Sequence, residues 1–199
     1  MNTQLPDRLL LKKGLYLEYF TLLWNVVGIF VTAIAAITAH SVALGGFGLD
    51  SLIEIGASTI VIWELTNTKE NVRAKALRMI GVGFYTISVY IFFQVAYLLL
   101  RDSHPSVSGL GIVWTAITFI IMLLLAHAKR ITGEQLKNPV LITEGKVTLI
   151  DAYLAASVLA GLLLNAAFHW WWADLASALI IVYYGLKEGR AAFQEARHH

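Results

Sequence analysis

The chain contains no cysteine, so the sequence excludes both a disulfide framework and a thiolate metal site. Charge is also scarce, because only 14% of its 199 residues are Asp, Glu, Lys or Arg, whereas 58% are hydrophobic. An ordinary soluble domain carries about 25% charged residues. This composition predicts an all-α polytopic membrane protein. No polar stretch is long enough to bury a core of its own, so we expect a single transmembrane domain over residues 1–199.

Six apolar segments each approach the ~20 residues that a helix needs to cross a bilayer. We predict transmembrane helices over residues 15–39, 42–65, 76–100, 110–128, 143–168 and 171–186. The first segment shows no signal-peptide cleavage pattern. His198 and His199 are either native or a tag remnant, so neither enters the metal arguments.

Basic residues lie mainly on one predicted side of the membrane. They occur in the N-terminal segment, the second and fourth connections and the C-terminal segment: Arg8, Lys12, Lys13, Lys69, Arg73, Lys75, Arg78, Lys129, Arg130, Lys137, Lys187, Arg190 and Arg197. The opposite connections contain Arg101 alone. The positive-inside rule therefore predicts that both termini are cytoplasmic, and we expect a bacterial inner membrane as the location.

The second predicted span contains two carboxylates, Asp50 and Glu54, near its middle. A spacing of four residues places both on one face of a helix. At bilayer depth each ionised carboxylate costs about 2.5–3.5 kcal/mol, so the pair needs a cation or a proton. This pattern favours a functional site. The alternative is that Ser51 and Ser58 mark a helix contact in which the acids are buried in protonated form.

The fifth predicted span contributes a third acid, Asp151, together with Glu144 and Thr148 on the same face. If spans two and five touch, Asp151 is level with Glu54. An all-oxygen set of Asp50, Glu54 and Asp151 suits a divalent cation, and Zn²⁺, Mn²⁺, iron, Co²⁺ and Mg²⁺ all remain open. Glu144 either pairs with Lys146 or lies on the access path, whereas Lys146 alternatively extends to the membrane surface.

Other polar residues are candidates for the pathway or for contacts between helices. In span one, Glu18 either contacts lipid headgroups or lies on an access path, and Asn25 is expected to form an interhelical hydrogen bond. Asn165 and Asp174 either join spans five and six or face an outer vestibule. The histidines are expected at the membrane interfaces, which gives no support to a buried histidine metal centre: His40, His104, His127 and His169.

At this point the chain resembles the cation diffusion facilitator family, which exports divalent cations. Span two resembles its second helix in Ser41, Ala43, Leu44, Asp50 and Glu54. In span five, Thr143-Glu144-Gly145 followed by Asp151 resembles the fifth helix, although Val147 stands where the family usually has His or Asp. The segment W-W-W-A-D-L-A-S-A-L-I-I, followed by E-G, resembles the sixth helix.

The resemblance implies a short, transmembrane-only branch without the cytoplasmic C-terminal domain. It implies export of Zn²⁺ or a similar ion from the cytoplasm in exchange for protons, through a homodimer in the lipid bilayer. We expect no nucleic-acid partner. We also expect no enzymatic activity, because the sequence shows no nucleophile–base pair or cofactor fingerprint. Two alternatives are a membrane protein that binds or regulates a partner without transporting, and a proton-coupled exporter of organic cations.

Overall fold

The computed structural model describes residues 4–66, 71–101 and 105–197, and these ranges contain six α-helices and no strand. The predicted all-α fold is therefore confirmed. The helices are α1 (Gln4–Ala39), α2 (Val42–Thr66), α3 (Asn71–Arg101), α4 (Gly109–Leu136), α5 (Pro139–Phe168) and α6 (Trp172–Glu195).

Several predicted helix ends were wrong, most clearly between spans four and five. The sequence placed a loop over residues 129–142, but α4 continues to Leu136 and α5 begins at Pro139. The turn between them is short because Lys137 adopts a left-handed conformation and the Asn138 side chain accepts hydrogen bonds from the first amides of α5. Pro139 then occupies the first helical turn, where a missing N–H costs nothing. The basic residues Lys129, Arg130 and Lys137 suggested a loop, but residues 129–136 are helical.

The outermost helices are also longer than predicted. α1 begins at Gln4 rather than near residue 15, and α6 continues to Glu195 rather than ending near residue 186. By length and composition, five helices are apolar enough to cross a membrane: α1 to α5. The sixth helix is less apolar than these five. It packs along α3 and α5 inside the bundle.

The helices pack mainly in three pairs: α1 with α2, α3 with α6, and α4 with α5. Glycine permits close backbone contact between α4 and α5. A methyl group on Gly145 would lie 3.0 Å from the Arg130 amide nitrogen and 3.1 Å from the Ala126 carbonyl oxygen, both in the backbone of α4. Such close backbone approach at small residues is typical of helices that pack in a membrane.

One end of the bundle is joined by hydrogen bonds between its connections. Asp174 of α6 accepts hydrogen bonds from the Val42 and Ala43 amides at 3.1 and 3.3 Å, and from the Ser41 hydroxyl. Asn165 of α5 donates to the Pro105 carbonyl at 3.0 Å. The prediction that these two residues join α5 to α6 was therefore wrong, since each binds a different connection.

These bonds place the connections after α1, α3 and α5 at one end, opposite the start of α1 at Gln4 and the end of α6 at Glu195. His40 and His169 are exposed there, and His127 is exposed on α4. The predictions for Lys69, His104, His198 and His199 fall outside the described residues.

Candidate metal-cation site

Asp50 and Asp151 face each other near the middle of the bundle. Both side chains are buried, and their carboxyl groups lie within hydrogen-bonding reach of each other. Since α5 begins at Pro139, Asp151 lies twelve residues along it (151 − 139), or about 18 Å at 1.5 Å per residue. Glu54, one turn beyond Asp50 on α2, contacts Thr148, which lies three residues before Asp151 on α5.

All three predicted ligands line one small cavity between α2, α3, α5 and α6. Its volume is about 20 Å³, and Val147 also lines it. A space of that size accommodates roughly one water molecule or one bare ion. Asp50, Glu54 and Asp151 therefore line the same cavity, and α2 and α5 are in contact, as a shared site requires.

The three acids nevertheless do not form a ready-made metal site. Within the described residues, no group of three His, Cys, Asp or Glu side chains is close enough to hold a metal ion. Glu54 is turned toward α5, where its Oε1 accepts a hydrogen bond from the Thr148 hydroxyl at 3.2 Å. A cation shared by all three acids therefore requires Glu54 to move.

A buried lysine, which the sequence reasoning placed in a loop, lies beside this site. Lys129 of α4 is completely buried, and its Nζ lies 3.1 Å from Glu18 Oε2 and 3.4 Å from Glu144 Oε1. It also donates to Thr148 Oγ1 at 3.1 Å. The sequence analysis counted it among the basic residues of the fourth connection. The signal that could have revealed it is the helical continuation of α4 toward the Asn138-Pro139 cap.

The ion pairs of Lys129 correct two further predictions. Glu18 is completely buried, so the interpretation that it contacts headgroups was wrong. Glu144 pairs with Lys129 rather than with Lys146, which is exposed. Lys129 is also close enough to interact electrostatically with Asp151. No basic residue lies three or four positions from Asp151 in its own helix, so this interaction depends on the packing of α4 against α5.

Three other polar residues lie at contacts within or between helices and do not line the cavity. Asn25 is buried, but its amide donates to the Thr21 carbonyl of its own helix at 3.0 Å, so the expected interhelical bond was wrong. Ser51 donates to the Phe47 carbonyl at 3.4 Å, and its hydroxyl lies against Gly28 of α1. Ser58 is buried beside Glu18.

Sequence reasoning also missed Glu188, a half-buried residue of α6 that lines the cavity. Burial raises the pKa of the Glu188 carboxyl group, and the neighbouring Lys187 ammonium opposes that rise. Glu188 lies beyond the predicted end of the sixth span, where an acid resembles an ordinary surface residue. The cavity therefore has an acidic residue on the side that faces the C-terminal end of α6.

Two comparisons with known proteins identify the family of the chain. The model of the cation efflux transmembrane domain matches residues 78–198. The chain is also 25% identical over 189 residues to Transmembrane protein 163 of Xenopus laevis. That alignment covers 88% of this chain and 66% of the relative, so the chain spans about two thirds of the relative's length. With the match of the family model across more than half of its residues, the chain belongs to the cation efflux family of integral membrane proteins.

Proposed function

We propose that the protein transports a divalent metal cation out of the cytoplasm and that Asp50, Glu54 and Asp151 bind this cation. The observation that carries the proposal is the convergence of three buried carboxyl groups on one cavity of about 20 Å³ inside a bundle of membrane helices. Membership of the cation efflux family supports the transport and its direction.

The electrostatic balance of the bundle supports a cation at this position. Lys129 neutralises charge near Glu18 and Glu144, but no ion pair within the described residues joins a basic residue to Asp50 or Asp151. Two carboxylates that face each other at low dielectric cannot both be ionised without a proton or a cation between them. A divalent cation satisfies that requirement when Glu54 joins as the third ligand.

Because the buried acids need either a cation or protons to neutralise them, cation transport is coupled to proton movement. When the cation leaves, the acids must take up protons, and when a cation binds, those protons must be released. A site that alternates between the two membrane faces would then exchange one metal ion for protons. Glu188, and the predicted pathway residue Glu144, lie toward the cytoplasmic ends of their helices, where a cation would arrive.

The donor atoms set the expected metal preference. Carboxylate oxygens alone discriminate little among Zn²⁺, Mn²⁺, iron, Co²⁺ and Mg²⁺. Zn²⁺ is favoured by the family resemblance, whereas Val147 removes the nitrogen ligand that would favour Zn²⁺ most strongly. We therefore expect transport of Zn²⁺ together with harder divalent ions.

The size of the cavity argues against the organic-cation alternative. A space of about 20 Å³ fits one bare ion, whereas pockets for drug-sized molecules measure about 300–1,000 Å³. The alternative of a non-transporting membrane protein requires Asp50 and Asp151 to stay protonated when metal is present, so metal-driven proton release from the purified protein separates it from transport.

Assembly as a homodimer in the bilayer is part of the proposal and rests on the family resemblance. The third helix presents exposed aromatic side chains, including Tyr90, Phe93 and Tyr97, to lipid or to a second copy. Chemical cross-linking in native membranes tests this assembly, and a monomer at all cross-linker concentrations would contradict it.

Transport by the purified protein in liposomes tests the proposed function. With an imposed pH gradient, we expect uptake of at least one ion from a panel of Zn²⁺, Mn²⁺, Co²⁺, Fe²⁺ and Mg²⁺, together with proton movement in the opposite direction. Asp50→Asn protein is the matched control and should be inactive. Absence of flux for the whole panel, or flux only of lipophilic organic cations, would contradict the proposal.

A further inference from the structure

Glu188 is the charged residue at which the cavity of the three acids reaches the outside of the bundle. The three proposed ligands are buried, whereas Glu188 of α6 lines the same cavity and is only half-buried. The other partly exposed residues that line the cavity, within the described part of the chain, are uncharged. Lys187 and Arg190, close to Glu188 in α6, are exposed, as charged residues are at the surface of a membrane. Glu188 therefore joins the buried acids to the surface of the protein.

Glu188 lies beyond the proposed ligands, toward the end of the bundle that the positive-inside rule assigns to the cytoplasm. At the opposite end, Asp174 of α6 accepts a hydrogen bond from the Val42 amide of α2 at 3.1 Å, so these two helices start together. From there Asp50 lies eight residues along α2 (50 − 42), and Glu188 lies fourteen residues along α6 (188 − 174). The difference of six residues is about 9 Å at 1.5 Å per residue. Glu188 is still close enough to Asp50 to interact with it electrostatically.

The Glu188 carboxyl group is available to an arriving cation. Among the described residues, no hydrogen bond or ion pair joins it to another side chain. Lys187 acts on it only at longer range, and the Lys187 ammonium lies 5.7 Å from the centre of the Tyr184 ring. A half-buried carboxylate attracts cations more strongly than one in bulk water, because the lower dielectric around it screens its charge less.

The other acidic side of the cavity is closed by a buried ion-pair network. Glu18 and Glu144 are buried and lie 3.1 and 3.4 Å from the ammonium group of Lys129, which is completely buried. Thr148 accepts a hydrogen bond from the same ammonium at 3.1 Å and donates one to Glu54 at 3.2 Å. A metal ion that approached through these residues would meet a fixed positive charge at low dielectric, where like charges repel strongly.

We propose that the transported cation enters the cavity past Glu188, and that the side of the Glu18–Lys129–Glu144 network is closed to it. Glu188 gathers divalent cations at the opening, since a charged cleft with low-dielectric walls raises the local concentration of its counter-ions. It positions the ion for transfer to Asp50 and is not one of the final ligands. This inference rests on the proposed function, because it assigns a route to the same site.

Uptake of Zn²⁺ and of Mn²⁺ into liposomes by the purified full chain tests the role of Glu188. Glu188→Gln keeps the shape of the side chain and removes its charge. The metal concentration for half-maximal uptake should therefore rise about tenfold, the lower end of the effect of a charged cleft. The maximal rate should not change, because the final ligands are intact.

Glu134→Gln is the matched control, because it removes the same charge at the same end of the bundle. Glu134 is exposed, pairs with Arg130 at 2.9 Å and does not line the cavity. Its replacement should leave the metal concentration for half-maximal uptake unchanged.

A charge restored at position 188 separates attraction of the cation from a structural role. The chain has no cysteine of its own, so Glu188→Cys provides a single reactive thiol. An impermeant thiol reagent added outside the liposomes reacts only with molecules whose cytoplasmic face is outward, and these molecules carry out the uptake. A methanethiosulfonate that carries a sulfonate should lower the half-maximal concentration of the Glu188→Cys protein, and one that carries a quaternary ammonium should raise it.

Thr148→Cys tests the closed side of the cavity. Thr148 is completely buried against Lys129, so the reagents that modify Glu188→Cys should not react with Thr148→Cys. Labelling of Thr148→Cys as fast as that of Glu188→Cys would overturn the proposed route.

The role of Glu188 is overturned if Glu188→Gln has the same half-maximal concentration as Glu134→Gln, or if the two charged reagents act alike. Loss of the maximal rate in Glu188→Gln would also overturn it, because Glu188 would then be a ligand of the bound ion. Absence of uptake of every tested ion by the unmodified protein would contradict the proposed function itself, so the two failures are distinguishable.

Discussion

At the scale of single residues, the acid that connects the two parts of the polar interior is Glu54. It lines the cavity with Asp50 and Asp151, yet it accepts its hydrogen bond from Thr148, which in turn accepts one from Lys129. Lys129, Thr148 and Glu54 therefore form a chain of donors that ends on the third proposed ligand. The orientation of Glu54 is linked through one hydroxyl group to a cation on another helix.

Thr148→Val tests how much this chain contributes to stability. Valine keeps the shape but removes the hydroxyl group, which leaves Lys129 and Glu54 each without one buried partner. We expect the free energy of unfolding to fall by about 1–3 kcal/mol, the usual cost of an unsatisfied buried polar group. Thermal unfolding in detergent measures the change.

Thr59→Val is the control for this substitution. Thr59 is exposed, and its hydroxyl bonds only to the Ile55 carbonyl of its own helix at 2.7 Å. Its replacement should change stability by less than about 0.5 kcal/mol. Equal effects of the two substitutions would mean that the Thr148 hydroxyl does not support the network.

Val147→His tests the metal preference at the cavity. Val147 lines the cavity with the three acids, so an imidazole there can reach a bound ion. Because imidazole suits Zn²⁺ better than Mn²⁺, we expect the ratio of Zn²⁺ to Mn²⁺ transport to rise by about tenfold or more. Liposome uptake of the two ions in competition gives this ratio.

Tyr153→His provides the comparison, because Tyr153 is exposed on the same helix and lines no part of the cavity. The ratio of Zn²⁺ to Mn²⁺ transport by Tyr153→His protein should match that of the unmodified protein. A ratio that does not change in Val147→His would show that position 147 does not contact the transported ion.

At the scale of the helices, sequence reasoning was accurate where apolar runs are long and inaccurate where charge lies within a helix. The spacing of Asp50 and Glu54 placed them on one face, and the structure brings them to one cavity with Asp151. Lys129 could not be placed in the same way, because its partners lie on α1 and α5 and only the packing of α4 brings them near. Glu188 was missed because it lies beyond the predicted end of the sixth span, whereas α6 continues to Glu195.

The close contact of α4 with α5 positions Lys129 against Glu144, and Gly145 makes that contact possible. Gly145→Ala would place a methyl group 3.0–3.1 Å from backbone atoms of α4, which cannot move as a side-chain tip can. We expect destabilisation by about 1–3 kcal/mol, as for other overpacked sites.

Gly83→Ala is a suitable control, because a methyl group there would meet nothing within 4 Å. Alanine is the better helix former by about 1 kcal/mol, so this variant should be neutral or slightly more stable. Thermal unfolding of both variants measures the difference in their stability. A Gly145→Ala protein as stable as Gly83→Ala would contradict the proposed tight contact.

At the scale of the whole molecule, the arrangement of the bundle predicts its orientation in the membrane. The connections after α1, α3 and α5 lie at one end, and the start of α1 and the end of α6 lie at the other, as do Lys137 and other basic residues of the described ranges. The positive-inside rule then places the termini and the turn between α4 and α5 in the cytoplasm.

Single cysteines test this orientation cleanly, since the chain has none of its own. Ser106→Cys lies in the connection before α4, and Gln135→Cys lies in the last turn of α4. Both positions are exposed. In intact cells an impermeant thiol reagent should label Ser106→Cys but not Gln135→Cys. Equal labelling of both from outside would contradict the proposed topology.

The central claim is that Asp50 and Asp151, on different helices, bind one and the same cation with Glu54. Asn keeps the shape of Asp and removes its charge, so Asp50→Asn and Asp151→Asn isolate the electrostatic contribution of each acid. The most direct measurement is the proton release that accompanies metal binding to the purified protein.

We predict that each single variant abolishes metal-driven proton release and that the double variant is no worse than either, because groups that act as a unit are not additive. If Asp151→Asn instead retains the metal affinity and proton release of the unmodified protein while Asp50→Asn loses both, α5 contributes no ligand and the shared site is contradicted.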